Sequence, residues 1–257
     1  MIGCIIQARI GSSRLPGKVL MPIDGEKTVN FHVLNQLKFC NLIDKIVVAT
    51  TNLEEDDILA NYVQDLGFDC FRGSPNDVLD RYYNCAKQYS FSTIIRITSD
   101  NPVIDPQLID FLVKKFSDNS FDYVSNTLER TYPHGIEAEV FSFKSLETSW
   151  KEASLPSERE HVTPYIQKYP KKFSIHNIKQ EKDYSHLRCT VDRINDIELI
   201  KSIFLKIKKR PILTGDIISL SEKEPKLFEL NKEYDLEEGY QKSLKEDKEF
   251  LKQKNSN

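Results

Sequence analysis

Short, β-branched apolar runs alternate with amphipathic stretches through the first 125 residues. Ile2–Ala8, Lys45–Thr50 and Thr93–Thr98 read as buried strands, and Phe68–Phe71 as a short extra one. Between them, Glu54–Leu66 carries Ile58, Leu59, Tyr62, Val63 and Leu66 at helical spacing, and Asp77–Tyr89 carries Val78, Leu79, Tyr82, Tyr83 and Ala86 likewise. Asp77 is a good N-cap. Asp105-Pro106 sets a capping carboxylate before a proline at the first helical position, ahead of Leu108, Ile109, Leu112, Val113 and Phe116. Strands alternating with helices of this length predict an α/β fold of right-handed βαβ units, with a mostly parallel sheet and helices on both faces. In such sheets ligands sit beyond the carboxyl ends of the strands, which singles out residues 7–18, 50–52 and 98–105.

The pattern changes after residue 126. Glu137–Phe143 alternates as an antiparallel strand does, and Phe173–Ile178 does the same. Arg188–Val191 reads as a further strand, followed by a helix from about Asp196 to Lys209. Residues 126–180 are therefore expected to form a small antiparallel segment inserted into a domain spanning 1–220. From Glu222 onward Lys and Glu dominate, so 221–257 reads as a charged, solvated helical extension with a frayed end and no chemistry of its own.

Composition narrows the class. Of 257 residues, 39% are hydrophobic and 29% charged, enough apolar surface to bury a core and to exclude disorder along the whole length. The longest apolar runs, Ile46–Ala49 and Cys4–Ile6, fall far short of the roughly 20 residues a membrane span needs. The first residues lack the basic region of a signal peptide. Five cysteines, an odd number without CxxC spacing, fit reduced thiols, and the chain is placed in the cytoplasm. With a net charge of −3 spread along the chain, a general nucleic-acid-binding surface is disfavoured, which leaves a local cationic site as the option.

That site is the segment Gln7-Ala8-Arg9-Ile10-Gly11-Ser12-Ser13-Arg14-Leu15-Pro16-Gly17-Lys18, directly after the first strand. Small residues at Gly11, Ser12 and Ser13 permit a tight turn with converging N–H groups, an arrangement suited to phosphate oxygens. Arg9, Arg14 and Lys18 add three cations to one short loop. A surface loop with scattered basic residues is the competing reading of the bare motif; its place at a strand end in an α/β sheet favours phosphate. The spacing matches neither GxxxxGK[ST] nor GxGxxG, which argues against a Walker ATPase and a dinucleotide dehydrogenase. No Ser-His-Asp or Cys-His set and no zinc spacing presents itself.

Ala8-Arg9-x-Gly11-Ser12-x-Arg14-x-Pro16-Gly17-Lys18 resembles the signature loop of the sugar nucleotidyltransferases, in particular the cytidylyltransferase branch with the CMP-Kdo and CMP-sialic acid synthetases and the spore-coat polysaccharide proteins. Arg96-Ile-Thr98-Ser99-Asp100-Asn-Pro102 is similar to that family's strand-end segment with a metal-binding Asp. Tyr132-Pro133-His134-Gly135-Ile136-Glu137 and Arg159-Glu160-His161-Val162-Thr163-Pro164 resemble the spore-coat branch, and Thr190-Val191-Asp192 the segment with the second metal carboxylate. The motifs stand in family order over about residues 1–210.

The resemblance implies a Rossmann-like, GT-A-like nucleotidyltransferase fold and transfer of CMP from CTP to an acidic acceptor, with release of pyrophosphate. It implies Mg²⁺ on Asp100 and Asp192, with Arg14, Lys18 and Asp100 as the catalytic set. The nucleotide would be lined by Gln7, Ala8, Arg9, Gly11, Ser12, Ser13, Thr50, Arg72, Asp80, Arg81, Thr98 and Ser99. The acceptor, an acid sugar or a phosphate- or phosphonate-bearing molecule, would meet Asn126, Tyr132, His134, Gly135, Glu137, Glu139, Arg159, His161 and Arg188. A homodimer is implied too, its contact sought at the strand edge around Glu137–Phe143. Neither nucleic acid nor membrane is an expected partner.

From the residues alone, other roles stay open. Asp100 also suits a turn, Asp192 an N-cap (for which Asp196 is better placed), Arg81 a helical salt bridge to Asp77 or Asp80, His134 a solvated loop and His161 a helix start. The rival enzyme is a glycosyltransferase of the related nucleotide-sugar-binding fold, for which a triphosphate-binding loop is unnecessary. A catalytically silent nucleotide-binding protein is disfavoured by Asp100 and Asp192 standing together.

Overall fold

The computed structural model describes residues 1–234 and 238–255. β1 (Ile2–Gln7) runs into the loop at residues 8–17, which ends on a single 3₁₀ turn, Lys18–Leu20. An antiparallel ribbon of β2 (Pro22–Asp24) and β3 (Lys27–Thr28) delivers the chain into α1 (Val29–Leu37). Strands and helices then alternate: β4 (Lys45–Thr51), α2 (Asp57–Asp65), β5 (Asp69–Gly73), α3 (Val78–Gln88), β6 (Thr93–Thr98) and α4 (Pro106–Asp118). The second half holds β7 (Tyr123–Ser125), β8 (Glu139–Ser142), α5 (Phe143–Glu152), α6 (Pro156–His161), α7 (Pro164–Lys168) and β9 (Ile175–Asn177). It closes with α8 (Ile194–Lys206), α9 (Thr214–Lys223) and α10 (Glu238–Asn255).

Seven strands form one mixed sheet in the order β5-β4-β1-β6-β8-β7-β9. The four strands of the regular first half are parallel. β8 runs antiparallel to β6 and β7, so the antiparallel pairing expected after residue 126 completes the main sheet. Period-2 alternation sends Cys4, Ile6, Val48, Ile95 and Ile97 to one face, against Val33 and Leu37 of α1, Ile109 of α4 and Ile200 of α8. Ile5, Val47, Ala49 and Ile94 face the other way, against Leu79 and Tyr82 of α3 and Leu146 of α5. Burial on both faces is why these strands carry nearly unbroken apolar runs. The helix starts follow the expected caps: Asp77 accepts from Asp80 N, and Asp105 from Gln107 N and Leu108 N.

Four expectations are corrected. Arg188–Val191 is not a strand; it makes one isolated bridge to His134, because its amides serve elsewhere, Val191 N donating to Asp100 O at 2.8 Å. β9 pairs parallel with β7. The strand edge around Glu137–Phe143 is not open for a second copy, since β8 is paired on both sides; the free edges belong to β5 and β9. Finally, α10 is docked rather than solvated throughout: Ser243 and Asp247 are buried, and Asp247 accepts from Ser157 N at 2.8 Å and Ser157 Oγ at 2.6 Å on α6. No helix among the described residues is long and apolar enough to cross a membrane.

Candidate active site

The basic loop folds on itself at the carboxyl end of β1. Ile10 O accepts from Ser12 N at 2.7 Å and Gly17 N at 2.9 Å, and Ile10 N donates to the fully buried Asp56 at 2.6 Å. Thr51 Oγ1 holds the other Asp56 oxygen, so the end of β4 anchors the loop. Gly17 turns with φ +71°, and a Cβ on Gly11 would come within 2.7 Å of Glu55. The exposed amides of Gly11, Ser13 and Arg14 donate to no group among the described residues, which leaves them turned to solvent where an anion could collect them.

Lys18 is the centre of charge. Its Nζ donates to Asp100 Oδ2 and Asp192 Oδ1, each at 2.7 Å. Arg14 Nη2 reaches the same Asp192 oxygen at 2.6 Å, while Arg188 Nη2 donates to Asp192 Oδ2 at 3.0 Å. Arg188 is aimed by Asp196, which accepts its Nε at 2.9 Å. Asp196 also accepts from Asp192 N and Arg193 N, the helix-start role its position suggested, and from Asn231 Nδ2. Burial alone would raise the Asp192 carboxyl, but Lys18, Arg14 and Arg188 outweigh it and hold Asp192 far below the usual carboxylate range. Burial pulls Lys18 down, and Asp100 and Asp192 more than reverse it. Hydrogen bonds from the Val191 amide and the Thr190 hydroxyl to Asp100 O hold the two carboxylate segments side by side.

Around this centre the nucleotide candidates divide. Ser99 Oγ accepts from Asn30 on α1 at 2.8 Å, and Thr98 sits opposite Gln7 in the sheet register. Arg81 is 2% exposed, yet its Nε and Nη1 meet no acceptor; Gln7 Oε1 and Thr50 Oγ1 are likewise buried without a partner. Burial pushes the Arg81 guanidinium down. Gly73 leaves room for it: a Cβ there would lie 3.1 Å from Arg81 Cγ. Arg72 and Asp80 are braces instead, Arg72 gripping Thr51 O, Leu53 O and Asp57, and Asp80 accepting from Trp150 Nε1 at 2.8 Å. Arg9 reaches across to Glu160 on α6 at 3.4 Å.

The acceptor candidates divide as well. Asn126 holds Ile136 O and Ala138 N, Arg159 grips Asp77, and Glu139 is enclosed by Arg96, Tyr123 and Thr163; these three hold the scaffold. His161 Nε2 lies 3.0 Å from Ser243 Oγ of α10, and burial pushes its imidazole down to about 4. Tyr132 packs against the core. His134 and Glu137 are different. His134 Nδ1 and Arg130 Nη1 both stand 2.7 Å from Glu137 Oε1, while Glu137 Oε2 accepts from Gly135 N and from Asn101, the neighbour of Asp100. Although partial burial opposes it, Glu137 is drawn down to about 2 by His134 and Arg130. Gly135 has φ +100°, and a Cβ would lie 2.5 Å from Cys189 C, so the close approach that puts His134 beside residues 187–189 requires glycine.

Sequence reasoning missed Asn30, Asn101, Arg130 and Glu238. Asn30 and Arg130 come from segments with no motif, and Asn101 stood inside the Arg96–Pro102 segment with no role assigned to it. Glu238, at the start of α10, lies 2.7 Å from Arg193 Nη2 and 3.9 Å from Arg14 Nη1 in the region read as inert tail. Among the described residues, no three His, Cys, Asp or Glu side chains gather as a metal cage. Asp100 and Asp192 do converge on one cationic group, which suits a hard divalent ion that takes few carboxylates and completes its shell with water and phosphate.

Comparison with known proteins fits this geometry. The family model described as cytidylyltransferase matches residues 3–252. An uncharacterized protein of Methanocaldococcus jannaschii is 39% identical over 233 residues, covering 88% of this chain and 93% of its own length. The spore coat polysaccharide biosynthesis protein SpsF of Bacillus subtilis is 36% identical over 228 residues, covering 86% and 94%. Among solved structures, a cytidylyltransferase from Leptospira borgpetersenii serovar Hardjo-bovis superposes with a TM-score of 0.85 at 35% identity, over 88% of this chain and 96% of that one.

Proposed function

The chain belongs to the cytidylyltransferase family, and on that premise we propose that it transfers CMP from CTP to an acidic small-molecule acceptor in the synthesis of a surface glycan or glycoconjugate. An acceptor oxygen forms a bond to the α-phosphorus, the bond from that phosphorus to the bridging oxygen breaks, and pyrophosphate leaves. The observation that carries the reading is the convergence of Lys18 and Arg14 with Asp100 and Asp192 beside a loop of unpaired amides.

Such a displacement asks the protein for positioning and charge neutralisation more than for covalent chemistry. The Gly11, Ser13 and Arg14 amides and the Arg14 and Lys18 side chains would receive the β- and γ-phosphates and the charge that grows on the leaving pyrophosphate. Asp100 and Asp192 are the residues that would hold Mg²⁺, which when bound polarises phosphate oxygens. Unused donors on Arg81 and the free acceptor of Gln7 complement a pyrimidine edge with acceptors at O2 and N3 and an amino donor at N4; uracil reverses the last two. Arg130, His134 and Asn101 form the polar wall next to Asp100, where a carboxylate, phosphate or phosphonate of the acceptor fits a guanidinium. A homodimer would use the β9 edge, the open strand nearest this wall in the sheet order.

The test is pyrophosphate release from each of the four nucleoside triphosphates with Mg²⁺, against acid sugars, sugar phosphates and phosphonates. CTP with at least one acidic acceptor is expected to turn over. Silence with every pair overturns the reading in favour of a transferase that uses a nucleotide-sugar donor. Asp100→Asn is expected to lower the rate by roughly 100-fold or more; a variant near wild type removes Asp100 from the metal site.

A further inference from the structure

Beside α1, the β2–β3 ribbon and the end of α8 border a hollow of about 330 Å³. We propose that this hollow is a second anion site, binding a small phosphate-bearing molecule through Lys27, Lys208, Arg210, Asn35 and the buried His32.

The charge balance there is unlike the rest of the surface. Lys27, Lys208 and Arg210 stand at the hollow against one carboxylate, Asp24, and none of the three cations comes within 4.0 Å of an acidic oxygen among the described residues. In a chain of net charge −3, three such cations around one recess are uncompensated. Arg210 lies over the Phe204 ring at 4.7 Å and Lys27 over Phe31 at 5.6 Å; Arg210 gives its Nη1 to Ile207 O and Lys209 O, which leaves its Nη2 and Nε and the Lys27 ammonium for a ligand.

His32 supplies the independent sign. It is 2% exposed, its Nε2 has no hydrogen-bond partner, and its only neighbours of note are the Phe31 and Phe204 rings. A buried polar atom left unmatched is rare enough to call for a reason. Burial drives the imidazole down to about 4, with Arg210 and Lys27 adding to the effect and Asp24 opposing it, so the ring is neutral and offers an N–H rather than another charge. Two or three cations, a neutral N–H and the Asn35 amide are a donor set for a phosphate's oxygens. The site is separate from the basic loop: along α8, Phe204 lies about 12 Å beyond Asp196 by helical rise.

Titration calorimetry of the full chain in chloride buffer, without metal or nucleotide, tests this. Inorganic phosphate and glycerol 3-phosphate are titrated separately. Arg14→Gln weakens binding at the basic loop, and in that background one phosphate site is expected to persist. Adding Lys27→Gln and Arg210→Gln is expected to weaken that site roughly tenfold or more. Saturating phosphate should also shift the His32 ring resonances in the Arg14→Gln chain. Equal affinities assign recognition to the phosphate group alone, and tighter glycerol 3-phosphate assigns it to an ester. No remaining site in Arg14→Gln, a site indifferent to the two added substitutions, or unmoved His32 resonances overturns the proposal.

Discussion

Two ionic networks lie along β6 and differ in kind. Within the strand, Arg96 faces Glu139 directly across the β6–β8 pair, and Tyr123 and Thr163 donate to Glu139 at 2.6 Å each. Past its end, Asp100 shares Lys18 with Asp192, and Arg14 joins from the basic loop. In the first network both charged groups ride on regular strands, with side chains 14% and 5% exposed. In the second every member sits on a loop or turn, and Arg14 and Asp100 keep 32% and 22%. The first is shut away from solvent; the second can trade its internal partners for a ligand's charges. A buried charge pair therefore marks function here only where the backbone holding it is irregular and one side stays wet.

Breaking the sealed network should cost stability. Glu139→Ala strands the Arg96 guanidinium, and truncation of one partner in a buried pair typically costs about 3–5 kcal/mol. At roughly 2–4 °C per kcal/mol for a chain of this size, a fall in Tm near 10 °C is expected by thermal denaturation. A Tm within a degree or two of wild type would mean the network is not sealed.

Breaking the open network should cost rate instead. Lys18→Met keeps the apolar stem, and Asp192 retains Arg14 and Arg188, so although Lys18 is itself buried, stability should fall less than in Glu139→Ala. Loss of a charge aimed at the leaving pyrophosphate should lower kcat by roughly 100- to 1000-fold. If Lys18→Met unfolds the protein and Glu139→Ala abolishes turnover at full stability, the two networks have been assigned the wrong way round.

Protons sharpen the contrast. His161 packs beside the sealed network, and burial holds it neutral down to about 4. Its folded pKa lies below the unfolded value near 6.5, so the unfolded chain takes up the proton first. Stability is full above about pH 6.5 and declines as pH falls toward 4, at up to about 1.4 kcal/mol per pH unit. His32 contributes in the same window. Urea midpoints at pH 7 and pH 4.5 should therefore draw closer in His161→Asn than in wild type, by the equivalent of about 1–2 kcal/mol.

The sheet was legible because its strands are buried on both faces and its helices begin at Asp77 and Asp105, signals that are local in sequence. The basic loop stood out because it follows the first strand at once, whereas the roles of Asp100 and Asp192 rested on the family resemblance, and the structure brings both carboxylates to Lys18. What could not be read was how polar residues are shared between scaffold and site. Glu137 and Glu139 stand two apart in one motif, yet one lies in the loop beside Asn101 and the other is locked in β8. Arg159 and Arg188 looked equally free, and both are spent on internal carboxylates. Such pairings follow no fixed spacing: Arg159 finds Asp77, 82 residues away, whereas Arg188 finds Asp196, 8 residues on. The tail failed differently: its dense charge suits a solvated helix, and the polar positions that dock it, Ser243 and Asp247, share one helical face but are no different in type from solvated ones.

That tail gives the smallest test of the open network. Glu238 shares its carboxylate between Arg193 at 2.7 Å and Arg14 at 3.9 Å, with side chains 48%, 36% and 32% exposed. It holds the same Arg14 that a triphosphate needs, so it competes with substrate, weakly, because exposed pairs are worth about 0–1 kcal/mol. Glu238→Gln keeps the side chain's shape and removes the competing charge. The KM for CTP should fall about two- to fivefold at low ionic strength with kcat unchanged, and the gap should close at high salt, where charges this exposed are screened. A KM that rises would mean that Glu238 orients Arg14 for the phosphates instead of withholding it, and the open network would then extend into α10.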